Sequence, residues 1–257
     1  MKSKSKMTKG FVGMLVPVAL VLLLALPSGA ATFNIPDGDV AGLIAAINTA
    51  NTNPDADTIS LAPNGTYTLT AVNWTYYYTG PSGLPAISSP MTINGNGATI
   101  QRSSAAGTPD FRILYVGAGD LTLNEVTIRG GRSASGASGY PGGGGGIRID
   151  NGNLLLVKST VTDNWGNEGG GIFNFVGGTL TVINSTVSHN TGYGGRTGGG
   201  ILNFSTGSYF STTTIINSTI FENRADGPSG FQGRGDAIAD AVLAHDARVA
   251  HGLCTMS

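Results

Sequence analysis

Three ionisable residues occupy the same position in three related segments of the sequence: Asp163, His189 and Glu222. Two carboxylates facing each other across a saccharide supply the acid and the base, or the acid and the nucleophile, of glycoside hydrolysis. If the segments stack at about 4.8 Å per coil, Asp163 and Glu222 lie roughly 9.6 Å apart, at the wide limit of an inverting pair. No basic partner is evident. The column is a candidate catalytic site, and the alternative, which we favour, is an exposed, solvated turn.

An aromatic cluster offers binding chemistry. The stretch "NWTYYYTGPSG" at 73–83 contains Trp74, Tyr76 and Tyr78 at alternate positions. Because alternation buries only about half of the side chains on a strand, we expect at least two rings to face solvent. Exposed rings stack on sugars or on a partner protein, so these three residues form a candidate ligand platform. The alternative is that they pack on the wall of the fold.

Other patterns argue against cofactor and metal chemistry. The glycine run 142–146 lacks the Lys-Ser/Thr of a phosphate-binding loop. His245, His251 and Cys254 near the end of the chain are too few and too irregular for a zinc site. We therefore predict no cofactor and no metal.

The elements that position these residues form a repeat. Four segments align with one another: "LTLNEVTIRGG" from Leu121, "LLLVKSTVTDN" from Leu154, "LTVINSTVSHN" from Leu180 and "TTIINSTIFEN" from Thr213. Apolar residues alternate with hydroxyl-bearing ones within each segment, as in strands with one buried side. Insertions fall between the segments, which is typical of a solenoid. The pattern predicts an all-β, single-stranded parallel β-helix with three short strands per coil.

Asparagines recur beside the strands in two columns. Asn164, Asn190 and Asn223 form one column, and Asn174 and Asn203 form the other. An inward asparagine at a coil corner hydrogen-bonds to backbone groups and to the asparagine of the next coil. We interpret all five as a structural ladder. The accompanying "GGGIFNF" and "GGGILNF" heptapeptides predict tight turns followed by a core isoleucine.

These motifs resemble a known family. Gly169-Gly170-Gly171-Ile172 and Gly198-Gly199-Gly200-Ile201, paired with Val161-x-x-Asn164, Val187-x-x-Asn190 and Ile220-x-x-Asn223, are similar to the GGA[ILV] and FxxN repeats of polymorphic outer membrane proteins. Val or Ile replaces the phenylalanine of the second motif. The resemblance covers about residues 34–226. It implies a right-handed, pectin-lyase-like solenoid in an adhesin-like surface protein.

The two ends of the chain differ from the repeats. Val40, Leu43, Ile44 and Ile47 have helical spacing after Asp39, which predicts a short N-terminal capping helix. We assign 31–120 to the cap and first coils, 121–240 to the repeats and 241–257 to an atypical tail. The tail is either a short helical cap or the end of a truncated, longer adhesin, and its composition favours the second.

The first 30 residues predict export. Four lysines precede a short apolar run, and Ser28-Gly29-Ala30 supplies a cleavage site, so 1–30 reads as a signal peptide that contacts the membrane only transiently. Its removal leaves 10 basic and 15 acidic residues, a net charge of −5, which argues against nucleic acid as a partner.

We therefore expect an extracellular or cell-surface protein, associated with the outer membrane if the source has one. The expected function is a non-catalytic, adhesin-like or envelope structural module. Its expected partner is a surface glycan or a host or cell-envelope protein. The alternative function is a polysaccharide lyase or glycoside hydrolase acting on acidic polysaccharide.

Overall fold

The computed structural model describes residues 29–133, 142–194 and 198–226, together with the backbone of 238–242. Residues 1–28 of the predicted signal peptide (1–30) and residues 243–257 of the predicted tail (241–257), which contain two histidines and the cysteine, lie outside the described residues. The described part is an all-β solenoid of stacked parallel sheets with one helix. Its strands are numbered in chain order below.

Two long parallel sheets form most of the wall. The first sheet contains β1 (Thr32–Ile35), β2 (Asp57–Leu61), β6 (Met91–Asn94), β9 (Asp120–Asn124), β13 (Asn153–Val157), β17 (Thr179–Ile183) and β21 (Thr212–Ile216). The second contains β3 (Thr66–Leu69), β7 (Thr99–Arg102), β10 (Thr127–Arg129), β14 (Thr160–Thr162), β18 (Thr186–Ser188) and β22 (Thr219–Phe221).

Two further parallel sheets complete the later coils. One contains β8 (Leu114–Val116), β12 (Ile147–Asp150), β16 (Ile172–Phe175), β20 (Ile201–Ser205) and β24 (Ile238–Val242). The other has two-residue strands: β11 (Arg132–Ser133), β15 (Trp165–Gly166), β19 (Thr191–Gly192) and β23 (Arg224–Ala225). The sequence predicted three strands per coil, whereas the later coils have this fourth, very short strand.

The strand register agrees with the alignment of the repeats. Leu121 pairs with Leu154, Leu154 with Leu180, and Leu180 with Thr213. These four residues are the first residues of the four aligned segments. Because parallel in-register pairing places equivalent residues above one another, each coil adds similar aliphatic side chains to one continuous core. Every fully buried aliphatic contributes about 1.5 to 3 kcal/mol.

The predicted helix is present as α1 (Val40–Ala50). Asp39 caps it by accepting a hydrogen bond from the backbone N–H of Gly42 at 2.8 Å. The apolar face of the helix is buried through Leu43 and Ile47, and α1 packs against β1, β2 and β3. Helix and first coils therefore share one core.

The repeated glycines leave space for the asparagine column. A Cβ atom on Gly171 would lie 2.6 Å from the carbonyl oxygen of Gly200 and 2.9 Å from the carboxamide of Asn190. Any side chain at this position would displace the ladder. The glycine is therefore required by close approach, and the isoleucine that follows it, Ile172, is fully buried.

Candidate functional site

The first asparagine column is buried and continuous. Asn164 Nδ2 donates to Asn190 Oδ1 at 2.9 Å, and Asn190 Nδ2 donates to Asn223 Oδ1 at 2.9 Å. Asn190 Oδ1 also accepts a hydrogen bond from the backbone N–H of Asn164, and Asn223 Oδ1 accepts one from the backbone N–H of Asn190. Asn190 Nδ2 also donates to the carbonyl of Val161 at 2.9 Å. The column therefore satisfies backbone groups at a corner where the sheet ladder is interrupted.

The second asparagine column joins two coils. Asn174 Nδ2 donates to Asn203 Oδ1 at 2.8 Å and to the carbonyl of Thr212 at 2.9 Å. Asn203 Nδ2 donates to the carbonyl of Ser211 at 3.1 Å. Both side chains are buried. These asparagines stabilise the turns that lead from β16 and β20 back to the first sheet.

Sequence reasoning missed a serine ladder. Ser159, Ser185 and Ser218 follow the first-sheet strands at equivalent positions and are buried. Ser185 Oγ accepts the N–H of Ser159 at 3.0 Å, and Ser218 Oγ accepts the N–H of Ser185 at 3.1 Å. The available signal in the sequence is a Ser-Thr pair in three of the four aligned segments, Ser159-Thr160, Ser185-Thr186 and Ser218-Thr219, where the first segment has Val126-Thr127.

The candidate catalytic column lies at an exposed corner. Asp163, His189 and Glu222 all have left-handed backbone conformations, with φ of 55°, 55° and 50°. Asp163 is paired with Arg129 at 3.3 Å, so the basic partner that was not evident from the sequence exists. His189 Nε2 lies 2.6 Å from Glu222 Oε2. Both pairs are about half exposed, and their Coulomb interaction is screened by water.

The aromatic stretch forms a hairpin. Strands β4 (Trp74–Tyr76) and β5 (Gly80–Ser82) are antiparallel, and the turn between them carries Tyr77 and Tyr78. Three rings of this hairpin are well exposed: Tyr76 at 49%, Tyr77 at 65% and Tyr78 at 46%. The hairpin thus projects aromatic surface into solvent.

The rings form a connected row that is anchored to the solenoid. Trp74 stacks on Tyr115 of β8, with ring centroids 4.6 Å apart. Tyr76 lies nearly parallel to Trp74 at 6.1 Å, whereas Tyr78 meets Tyr76 edge-on at 5.6 Å and 62°. The three predicted platform residues are therefore brought together, but only Trp74 and Tyr76 have similar ring planes. Tyr115, which sequence reasoning did not include, supports them.

A buried polar cluster lies beside the base of the hairpin. The phenol of Tyr115 donates to Asp150 Oδ2 at 3.2 Å, and Arg148 Nε donates to Asp150 Oδ1 at 2.9 Å. Burial raises the pKa of Tyr115, and the nearby Asp150 carboxylate raises it further. The guanidinium of Arg148 also lies over the ring of Phe175, 4.7 Å from its centroid.

Arg112 is fully buried in the same region. Its Nη2 donates to the carbonyl of Thr79 and to Ser133 Oγ, the latter at 3.1 Å, and its Nη1 approaches the carbonyl of Gly80 at 3.5 Å. Thr79 and Gly80 belong to the hairpin, so this arginine attaches the hairpin to the coil beneath. Burial, and then the charge of Arg148, lowers the pKa of Arg112 to about 9. The side chain remains cationic at neutral pH.

Comparison with known proteins gives no relative: no protein-family model, no curated protein and no solved structure matches the chain. Across the described ranges, no three His, Cys, Asp or Glu side chains are grouped so that they would hold a metal ion. In the same part of the chain, no helix has the length and apolar character that crossing a membrane requires.

Proposed function

We propose that this chain is a right-handed parallel β-helix that is exported and acts, outside the cell or on its surface, as a non-catalytic, adhesin-like or envelope module. The stacked parallel sheets, the GGGI and asparagine motifs and the signal-like leader support this assignment. In a source with an outer membrane, that membrane is the proposed location. In this proposal the solenoid is a rigid support, and the aromatic hairpin that projects from it is the binding surface.

The observation that carries the binding proposal is the aromatic hairpin. Trp74 is fixed by stacking on Tyr115, and the neighbouring Tyr76 and Tyr78 remain about half exposed. Rings held in this way present apolar faces to solvent at little entropic cost on binding. A surface glycan is the proposed ligand, because saccharide rings stack on aromatic side chains. By analogy with base stacking, each ring contributes about 1 to 3 kcal/mol, so a single site binds weakly and multivalent display is needed.

The competing function is a polysaccharide lyase or glycoside hydrolase that uses Asp163, His189 and Glu222. The 2.6 Å contact between His189 and Glu222 is the observation in its favour, because it joins a base to a carboxylate. The exposure of the column, and the pairing of Asp163 with Arg129, favour a solvated corner instead. Both carboxylates are about half exposed or more, whereas the general acid of a glycosidase lies in an enclosed pocket.

Glycan-array binding tests the proposed function. A multivalent display of residues 31–257 is compared with the Trp74→Ala/Tyr76→Ala double variant, and we expect the variant to lose most of the binding. The matched control is Tyr209→Ala/Phe210→Ala, which removes two exposed rings, 61% and 49% accessible, from a different loop.

The control should bind as the unaltered protein does. Undiminished binding by the Trp74→Ala/Tyr76→Ala variant, with its fold intact by circular dichroism, would mean that the hairpin rings only pack. If no glycan on the array binds and the protein instead binds a defined envelope protein, the ligand of the hairpin would be a protein and not a glycan.

A further inference from the structure

Asp57 is a buried carboxylate in the first coil. It is the first residue of β2, and its side chain lies on the same face of that strand as the core residues Ile59 and Leu61. Only 1% of the residue is exposed. Among the described residues, Asp57 forms no ion pair. Aspartates are almost never fully buried unless they are paired, so this carboxylate points to a cationic partner.

The two oxygens of this carboxylate are used unequally. Oδ1 accepts the backbone N–H of Ala31 at 2.6 Å and the side-chain amide of Asn53 at 2.9 Å. Oδ2 is buried and has no hydrogen-bond partner within the described part of the chain. Because each carboxylate oxygen accepts up to two hydrogen bonds, the unused acceptor capacity of Asp57 lies at Oδ2.

Ala31 follows the predicted cleavage site directly. Ser28-Gly29-Ala30 supplies the small residues that precede such a site, so a cut after them makes the nitrogen of Ala31 the N-terminus. The two residues before Ala31 are exposed, whereas the residues after it pair with β2. The carbonyl of Ala31 accepts the N–H of Thr58 at 2.8 Å. Residue 31 is therefore held at the edge of the first coil, with its nitrogen against Asp57.

We infer that export hydrolyses the peptide bond between Ala30 and Ala31, and that the new ammonium group of Ala31 binds the carboxylate of Asp57. The inference rests on the export that is part of the proposed function. Water adds across the bond under the action of a peptidase, which leaves a carboxylate on Ala30 and an amino group on Ala31. This amino group takes up a proton at neutral pH, because the ordinary pKa of an α-amino group is about 8.

The ammonium group supplies what the peptide N–H does not. The peptide nitrogen has one donor and no charge, whereas the ammonium has three donors and a positive charge, enough to serve both oxygens of Asp57. Cleavage one residue later would remove both contacts of Ala31, and cleavage one residue earlier would leave its nitrogen a neutral amide. Before processing, Asp57 is a buried charge with neutral donors only, so processing stabilises the pairing of β1 with β2.

Thermal unfolding of four purified proteins tests the ion pair: residues 31–257, residues 29–257, and each of these with Asp57→Asn. The longer protein keeps the nitrogen of Ala31 as a neutral amide and carries its ammonium group two residues away. We expect 31–257 to melt about 4 to 8 °C above 29–257. Asp57→Asn should lower the Tm of 31–257 by about 5 to 10 °C and that of 29–257 by less than half as much.

Equal effects of Asp57→Asn in the two lengths would show that Asp57 accepts only a neutral hydrogen bond and would overturn the inference. If Asp57→Asn does not fold, the two unaltered lengths decide, and equal Tm values for them would overturn it. The matched control is Asp37→Asn, because the Asp37 carboxylate also accepts a backbone N–H, that of Thr66 at 2.7 Å, but in an exposed position. This control should change the Tm of both lengths equally, and a length-dependent effect as large as that of Asp57→Asn would also overturn the assignment.

N-terminal sequencing of the exported protein tests the position of the cut. We expect the sequence Ala-Thr-Phe-Asn, which begins at Ala31. A start at another residue near this site would overturn the assignment and leave export standing, whereas a retained apolar run would contradict processing altogether. Neither measurement uses a glycan, so the absence of glycan binding by the hairpin would leave both tests unaffected.

Discussion

Removal of the central ladder asparagine should be among the most destabilising single substitutions in this chain. Asn190 is fully buried, and its carboxamide makes four hydrogen bonds. Its Oδ1 accepts from the backbone N–H and from Nδ2 of Asn164, and its Nδ2 donates to the carbonyl of Val161 and to Asn223 Oδ1. Asn190→Ala leaves the N–H of Asn164 and the carbonyl of Val161 buried without these partners. Each such group costs about 1 to 3 kcal/mol, so we expect a loss of roughly 3 to 5 kcal/mol.

The assay is urea unfolding followed by circular dichroism, with thermal melts in parallel. For a chain of this size, the expected loss corresponds to about 6 to 20 °C in Tm. Asn167→Ala is the matched control, because Asn167 is only partly buried, and its structural hydrogen bonds involve its backbone. We expect the control to change the free energy of unfolding by no more than about 0.5 kcal/mol. Equal losses for the two variants would refute the ladder argument.

Three other predictions concern the remaining features. Ser185→Ala should cost about 1 to 3 kcal/mol in urea unfolding, because it leaves the buried N–H of Ser159 without its 3.0 Å acceptor; a neutral result would remove the serine ladder as a stabilising element. Asp163→Asn combined with Glu222→Gln should cost less than about 1 kcal/mol and leave glycan binding unchanged, since both are exposed ion-pair residues. If the protein releases reducing ends or unsaturated sugars from a uronate polysaccharide, and the same double variant abolishes that release, the enzymatic function replaces the binding one. N-terminal sequencing of the exported protein should find processing near Ala30, and retention of the apolar run would indicate an anchor.

Much of the coil geometry is readable from the sequence, because in-register parallel pairing converts sequence alignment directly into spatial neighbours. The alignment of Asn190 with Asn164 and Asn223 therefore predicts that these residues form one column, and in the structure they are hydrogen-bonded to one another. The helix at Val40–Ala50 was predicted from apolar spacing and a preceding aspartate. In each case the pattern is local or periodic, and physical proximity follows from it. The handedness of the coil remains part of the proposal.

Contacts between the hairpin and the coils depend on tertiary structure alone. Trp74 stacks on Tyr115, and Thr79 accepts from Arg112, although these partners are 41 and 33 residues apart and share no repeat position. The sequence shows that the aromatic cluster lies in an insertion between coils. Because an insertion is not aligned with the repeats, the alignment does not specify which sheet of the solenoid it packs against. Arg129, by contrast, lies in an aligned segment and pairs with Thr162, so its 3.3 Å approach to Asp163 follows from the repeat register, although the sequence interpretation identified no basic partner there. The neighbours of a residue in the repeats follow from its position in the alignment, whereas the neighbours of a residue in the insertion are determined by the packing of the whole chain.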